Sequence, residues 1–339
     1  GWTGNGIRVC DTEYLFNKQH QDLPPVTMLG EEPSSSITFT DDHGTAVLGI
    51  IGGIDNGPNT GVKGIAHNVE LYFASEWTDG GGFSPARSVL ECASALEPGD
   101  LVLIEIQEAG PNYVGGSVGF VPIEWYKPNY DAIVTATANG IIVIETSGNG
   151  SQNLDDPVYS TGNNNHWPFL PENDSGAIIV SGGSSSSNHG PLSYSNWGSA
   201  VDLQGWGQNV VTTGYGNLYN SEGTDLWFTN SFSGSSSAGP IVTGAAAVLQ
   251  EAHKSIYGTP LSPAAMKSLL VSTGTPGSST CDTSIYGACP AGSTFVGVPL
   301  PDVGAAGAQL TGSSVVYIDR NATGANNGTS WSNAYSGYN

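Results

Sequence analysis

Short apolar runs alternate along the chain with longer stretches in which apolar residues repeat every three or four positions. The short runs are typical of strands buried on both faces, and the longer periodicity is typical of amphipathic helices. The predicted strands are 7–10, 69–74, 101–106, 141–145 and 177–180, and the predicted helices are 45–51, 86–96, 130–139, 238–256 and 264–271. This alternation predicts an α/β fold in which a central, mostly parallel and twisted sheet is flanked by helices.

The organisation of the chain is predicted from its length and from a change in composition. A length of 339 residues is compatible with one large α/β domain. Beyond about residue 307 the sequence becomes rich in Gly, Ser, Thr and Asn, with one strand-like run at 315–318. We therefore expect a main domain at 1–310, followed at 311–339 by a linker or the start of a truncated C-terminal module.

The charge balance excludes some classes of partner. The chain has 8 Lys and Arg against 30 Asp and Glu, a formal net charge of −22. Such a field repels phosphate backbones, so we expect no nucleic-acid partner. No apolar run reaches about 18 residues, which argues against membrane insertion. The N-terminal Gly-Trp-Thr-Gly lacks the features of a signal peptide, so we expect a mature product whose targeting segment is absent.

The four cysteines give information on the cellular compartment in which the protein folds. Cys281 and Cys289 lie close together in a Gly/Ser/Thr-rich loop, which predicts a small disulfide-closed loop. Cys10 and Cys92 fall in a predicted strand and a predicted helix, where a second disulfide and two buried thiols are equally compatible with the sequence. A disulfide indicates an oxidising compartment, so we expect a secreted protein.

Four residues supply the groups that acyl transfer to a serine requires. Asp11 follows an apolar strand, and His43 opens a predicted helix. Ser236 directly precedes the long helix at 238–256, where its hydroxyl and its backbone N–H lie in a field that favours negative charge. Asn149 follows another buried strand and offers a side-chain amide as an oxyanion donor. We therefore predict an Asp11, His43 and Ser236 triad with Asn149 in the oxyanion hole.

Three segments resemble the active-site signatures of the subtilase family of serine peptidases. Cys-Asp-Thr-Glu at 10–13, with His-Gln-Asp-Leu at 20–23, resembles the aspartate region, and Asp-His-Gly-Thr-Ala-Val-Leu-Gly at 42–49 resembles the histidine region. The segment 234–244 resembles the Gly-Thr-Ser-x-Ala-x-Pro region, with Ser235 in place of the usual Thr and Gly239 in place of the usual Ser or Thr. The Ser-x-Ala-x-Pro spacing selects Ser236, and the Asp, His, Ser order is that of subtilisin. The resemblance implies a subtilisin-like three-layer sandwich.

The resemblance also implies a substrate-binding strand. In the family this strand pairs with the backbone of the bound polypeptide, which places Gln107, Glu108, Ala109, Gly110 and Gly148 beside the substrate. The family usually has a neutral Asn-x-Ser-x-Gly-type sequence here, whereas this chain has acidic residues. Either Glu105 is semi-buried and Glu108 faces an upstream subsite that favours basic side chains, or local hydrogen bonds satisfy Glu105 and water surrounds Glu108.

A calcium site and a propeptide are further implications of the resemblance. Asp22 and the loop 54–62, which includes Asn56, resemble the high-affinity calcium site of the family, although an ordinary Asn/Gly turn beside a surface aspartate is the alternative. Family resemblance also implies a propeptide that assists folding and is then removed from the zymogen. We expect the mature protein to act as a monomer on polypeptide substrates.

Together these features predict a secreted serine endopeptidase that works through an acyl-enzyme. Two alternatives remain. One is a non-catalytic, subtilase-like binding module of a larger surface protein, which would have no need of a complete triad. The other is an acid-acting serine-carboxyl peptidase, which uses Glu where subtilases use His. The His-Gly-Thr sequence at 43–45 favours the subtilase branch.

Overall fold

The computed structural model describes residues 1–57, 60–161 and 166–312. The predicted strand-like run at 315–318 and the rest of the C-terminal tail lie outside these residues. The strands of the described chain are β1 (Arg8–Glu13), β2 (Val26–Leu29), β3 (Glu70–Ser75), β4 (Trp77–Thr78), β5 (Gly82–Phe83), β6 (Leu101–Ile104), β7 (Gln107–Ala109), β8 (Phe120–Pro122), β9 (Ile142–Thr146), β10 (Ile178–Gly183), β11 (Leu203–Trp206), β12 (Val210–Thr213) and β13 (Phe228–Phe232). The α-helices are α1 (Asp42–Gly52), α2 (Pro85–Ala95), α3 (Lys127–Ala138), α4 (Ser235–Tyr257), α5 (Pro263–Thr273) and α6 (Val303–Thr311).

A seven-stranded sheet forms the centre of the molecule, in the order β11-β10-β9-β6-β1-β3-β2. Every neighbouring pair in this sheet is parallel. Three two-stranded antiparallel ribbons, β4-β5, β7-β8 and β12-β13, lie outside it. All five predicted strands belong to the central sheet, and the sequence patterns missed the two edge strands, β2 and β11.

Helices cover both faces of the sheet. One apolar core contains Val47 of α1, Val242 of α4, Leu270 of α5 and Leu310 of α6 together with inward residues of the strands. On the opposite face, a second core contains residues of α2 and α3, including Ile133. This arrangement confirms the predicted three-layer α/β sandwich. None of the helices in residues 1–57, 60–161 and 166–312 combines the length and hydropathy needed to cross a bilayer.

Both pairs of cysteines are bonded. Cys281 is joined to Cys289, as predicted, and Cys10 is joined to Cys92. The Cys10–Cys92 disulfide links β1, an interior strand of the sheet, to α2 across 82 positions. Of the two interpretations that the sequence left open for Cys10 and Cys92, the structure thus has the disulfide and not two buried thiols.

The path of the chain places a crevice at the carboxyl end of β1. The chain passes from β1 to β3 on one side and later returns to β6 on the other side. In open α/β sheets, ligand sites form at such a switch point, at the carboxyl ends of the strands. Glu13 ends β1 and Glu105 directly follows β6, so two acidic side chains enter this crevice.

Candidate active site

Glu13 lies against His43 at the carboxyl edge of the sheet. The Nδ1 atom of His43 forms a hydrogen bond to Oε2 of Glu13. Glu13 is buried, because its side chain is only 2% exposed, while His43 is partly open to the cleft. A buried carboxylate on Nδ1 fixes the imidazole tautomer so that the other ring nitrogen can accept a proton.

Asp11 does not occupy the position predicted for it. The structure extends β1 through Glu13, three residues beyond the predicted strand end, so Asp11 lies inside the strand rather than after it. Alternate strand residues share a face and lie about 6.6 Å apart along the strand, and Asp11 is therefore one step deeper than Glu13. Neither carboxyl oxygen of Asp11 has a hydrogen-bond partner among the described residues. In this structure the hydrogen-bond partner of His43 is therefore Glu13 and not Asp11, contrary to the predicted pairing.

The small residue after His43 lets α1 approach β1. A Cβ atom on Gly44 would lie 2.5 Å from the carbonyl oxygen of Leu15 and 3.0 Å from Cγ of Glu13.

Burial by itself lowers the pKa of His43, but the charge and the hydrogen bond of Glu13 outweigh this effect and raise the pKa of His43 above the ordinary histidine value. The ring also packs edge-on against Phe232, with ring centroids 5.5 Å apart.

Ser236 is the second residue of α4, a helix of 23 residues. The first N–H groups of a helix have no partner within the helix and carry its positive end. Ser236 is partly buried and lines both cleft cavities, so it combines a hydroxyl with a backbone donor in a field that stabilises negative charge. The predicted helix began at residue 238, and the additional turn brings the serine into the helix itself.

Asn149 is fixed in an orientation that suits an oxyanion donor. Its Oδ1 accepts a hydrogen bond from the backbone N–H of Ser235 at 2.8 Å, and its own backbone N–H donates to Oε1 of Gln107 at 2.7 Å. Because Oδ1 is engaged, the Nδ2 group is the part of the amide that can donate to a bound oxyanion.

Two cavities meet at these residues. One has a volume of about 500 Å³ and the other about 660 Å³. Both are lined by His43, Asn149, Tyr215 and Ser236. The smaller one also contains Glu13, Glu105 and Gln107, and the larger one extends past Phe232 and Tyr286. His43, Asn149 and Ser236 thus lie at the junction of a two-sided cleft.

The predicted substrate-binding residues are only partly brought to this cleft. Gln107 lines the smaller cavity, and a Cβ atom built on Gly148 would lie 3.3 Å from its Oε1. Glu108, Ala109 and Gly110 lie farther along β7 and its turn and are not among the cavity residues. Glu108 is half-buried, and its charge raises the pKa of Tyr126 after the effect of burial.

Glu105 differs from both sequence-based interpretations. Its side chain is buried, and neither carboxyl oxygen has a formed hydrogen bond among the described residues. It is therefore neither semi-buried nor satisfied by local bonds. Glu76, at the end of β3, is another buried carboxyl group without a formed bond, and no sequence pattern singled it out.

Asp22 and Asn56 are brought together as the calcium hypothesis expects. Nδ2 of Asn56 and the backbone N–H of Val62 donate to the two oxygens of the Asp22 carboxyl group. Asp22 and Asn56 also line a cavity with Thr60 and Gly61. Carboxylate and side-chain amide oxygens are ligands that calcium prefers, so Asp22 fits such an ion, and Asn56 fits it with Oδ1 in place of Nδ2 toward the site. In the described part of the chain no three His, Cys, Asp or Glu side chains are grouped to hold a metal.

A comparison with family models identifies the family of this chain. Residues 28–289 match the model of the Subtilase family of peptidases. The chain belongs to the subtilase family. This is a family of serine endopeptidases, and the match spans the segments that carry His43, Asn149 and Ser236 in this subtilase.

Individual relatives are distant. The chain is 28% identical to Alkaline elastase YaB from Bacillus sp. (strain YaB) over 259 residues, which is 75% of this chain and 57% of that protein. It is 28% identical to Subtilisin DY from Bacillus licheniformis over 252 residues, 74% of this chain and 78% of that protein. The chain thus spans little more than half of the first of these two relatives.

Solved structures share the fold. A protease from Pseudoalteromonas arctica superposes with a TM-score of 0.60 at 22% identity and covers 91% of both chains. The Patellamide maturation protease PatA gives a TM-score of 0.61 at 21% identity, over 91% of this chain and 98% of that one. At these identities the similarity is evidence of a common fold.

Proposed function

We propose that this subtilase is a secreted serine endopeptidase that cleaves polypeptides through an acyl-enzyme on Ser236. The observation that carries the proposal is the hydrogen bond between Glu13 and His43, at the junction of two cavities that Ser236 also lines. A binding module would have no need of an oriented imidazole beside a serine at a helix N-terminus.

The proposed reaction begins with proton transfer from Ser236 to His43. The Ser236 oxygen attacks the peptide carbonyl carbon, and Glu13 stabilises the resulting imidazolium through Nδ1. The tetrahedral oxyanion receives hydrogen bonds from Nδ2 of Asn149 and from the backbone N–H of Ser236. His43 then returns the proton to the leaving amine, and a water molecule activated by the same imidazole releases the acyl group.

Labelling with a fluorophosphonate tests this function directly. Such a probe forms a covalent bond only with an activated serine, so the adduct should map to Ser236 and be absent from the Ser236→Ala variant. A folded protein that takes up no label would support the non-catalytic binding module. A label on another serine would overturn the assignment of the nucleophile.

Substrate binding is proposed to follow strand addition along β7. Gln107, the first residue of β7, accepts a hydrogen bond from the backbone N–H of Asn149 and lies close to Gly148. An extended polypeptide would gain main-chain hydrogen bonds there, while Glu108, Ala109 and Gly110 would line its upstream part.

Secretion and maturation belong to the same proposal. Two disulfides, one of them anchored in the central strand, favour an oxidising compartment. We propose export as a zymogen whose propeptide is removed, and a monomeric mature enzyme.

We also propose that Asp22 and Asn56, which lies on the loop between α1 and β3, bind a structural calcium ion. Burial, as the largest effect, raises the pKa of Asp22 even though it receives two hydrogen bonds. A divalent cation would compensate this buried negative charge and join the loop to the segment before β2.

A further inference from the structure

The carboxyl group of Glu105 lies beside the proposed nucleophile. Glu105 directly follows β6, and its backbone N–H donates to the carbonyl of Thr12 on β1 at 3.2 Å. Its side chain is buried but lines the same cavity as Ser236. The Ser236 hydroxyl lowers the pKa of Glu105, although no hydrogen bond is formed between the two side chains.

The helix that carries Ser236 makes room for this side chain. A Cβ atom on Gly239 would lie 2.7 Å from Oε1 of Glu105 and 2.9 Å from Cγ2 of Thr146. The subtilase signature usually has Ser or Thr at this position. The absence of a side chain at Gly239 therefore allows a buried carboxyl group to lie under the first turn of α4.

The charged groups that face Glu105 are acidic. Asp11 and Glu13 approach it from β1, and Glu76 from the end of β3. His43 lines the same cavity and is the residue there that gains a positive charge at low pH. Burial first, and then Asp11 and Glu13, raise the pKa of Glu105 well above its usual range. A buried carboxyl group among other carboxyl groups tends to hold its proton, because burial removes most of the water around the charged form and the neighbouring carboxylates repel it.

The protonation state of a carboxyl group determines whether it donates a hydrogen bond to a neighbouring hydroxyl or accepts one from it. A neutral carboxylic acid has an O–H that can donate to the serine oxygen, which leaves the serine proton directed to the imidazole. An ionised carboxylate is an acceptor only, so it would draw the serine proton to itself and away from His43.

We propose that Glu105 is a positioning residue that orients the Ser236 hydroxyl as a neutral hydrogen-bond donor and turns it away from His43 when ionised. This inference deepens the proposed peptidase function and rests on it. It predicts that acylation falls at alkaline pH, although a serine–histidine pair by itself remains competent there.

The test measures the rate of fluorophosphonate labelling of the full chain between pH 6 and pH 10.5. The wild-type rate should fall at least about tenfold above neutral pH and recover when the pH is returned to 7, as one proton is lost and regained. Glu105→Gln keeps the shape and a donor but cannot ionise, so its rate should change less than about twofold over the alkaline range. Glu105→Ser, which is smaller, serves as a second variant if the glutamine does not fold, and it should also lose the alkaline decline.

Glu145→Gln is the matched control. Glu145 is another buried sheet carboxyl group, but it contacts the backbone of Glu124 and does not line the cleft. This variant should keep the wild-type decline. The same decline in both Glu105 variants, or no decline in the wild type, would overturn the role of Glu105 while labelled Ser236 still supported the peptidase. Wild-type protein that is unlabelled at every pH would overturn the peptidase function and this inference together.

Discussion

The Nδ1 atom of His43 forms a hydrogen bond to Oε2 of Glu13, the last residue of β1. The aspartate that the sequence order points to, Asp11, lies two residues earlier on the same face of the strand and has no hydrogen-bond partner in the described chain. The carboxylate of the proposed triad is thus two residues farther along β1 than the sequence order predicts, at Glu13 instead of Asp11.

The ionisation of His43 should depend on Glu13. Because Glu13 raises the pKa of His43, the acidic limb of activity should lie at higher pH than for an unpaired histidine. NMR titration of His43 in the Ser236→Ala background avoids self-digestion and measures this pKa. Adding Glu13→Gln should move the titration to lower pH, since burial then dominates, whereas adding Asp11→Asn should move it much less. Equal shifts in the two variants would contradict the pairing.

Replacement of Asn149 should affect the chemical step. Asn149→Ala removes Nδ2 and the acceptor of the Ser235 N–H, but it leaves the backbone hydrogen bond to Gln107 on the substrate-binding strand. We expect a loss of about 10²–10³ in kcat with little change in KM, which is the loss typical of one such donor in subtilisin. Steady-state kinetics on a peptide substrate give both constants. A change confined to KM would show that Asn149 binds the substrate rather than the oxyanion.

Folding stability should decrease as the pH rises. Burial raises the pKa of Asp11, Glu76 and Glu105 well above their usual values, and it raises the pKa of Glu124 to about 8. The folded state therefore binds more protons than the unfolded state above about pH 4, so each group lowers the unfolding free energy by up to about 1.4 kcal/mol per pH unit.

Denaturant unfolding of the Ser236→Ala protein from pH 5 to pH 8 measures this slope. Glu124→Gln should flatten it, while Glu172→Gln, at an exposed position, should leave it unchanged. A stability that rises with pH over this range would contradict the neutral state of the buried carboxyl groups.

Removal of calcium should lower the melting temperature. An ion that binds only the folded state stabilises it by about 2.7 kcal/mol at a free concentration one hundred times its Kd. An excess of chelator should therefore destabilise the wild type and have no effect on Asp22→Asn. Identical melting curves of the wild type with chelator and with added calcium would refute the site.

The sequence patterns predicted the layers of the fold because buried parallel strands are continuous apolar runs, as in 101–104 and 142–144. They missed β2 and β11, which lie at the edges of the sheet and are less uniformly apolar. The positions of His43 and Ser236 at the starts of helices agree with the motif spacing. The contact of Glu13 with His43 was missed because the apolar run stops at residue 10 while the strand continues for three polar residues.

Glu105 could not be predicted for a different reason. Its burial depends on the space left by Gly239, which is 134 positions away in sequence. A local pattern contains no information on that contact. The departure of Gly239 from the family signature was visible in the sequence, but only the fold connects it to an acidic residue on another element.

The most direct test of the proposed triad compares kcat/KM for Glu13→Gln and Asp11→Asn, each measured at the pH optimum of the wild type. Both changes replace a carboxyl group by an amide of the same shape. We predict a loss of about 10⁴-fold for Glu13→Gln, because the amide no longer fixes and stabilises the imidazole, and a loss of less than about tenfold for Asp11→Asn. The reverse ranking, with Asp11→Asn inactive and Glu13→Gln close to wild type, would contradict the assignment of Glu13 as the catalytic carboxylate.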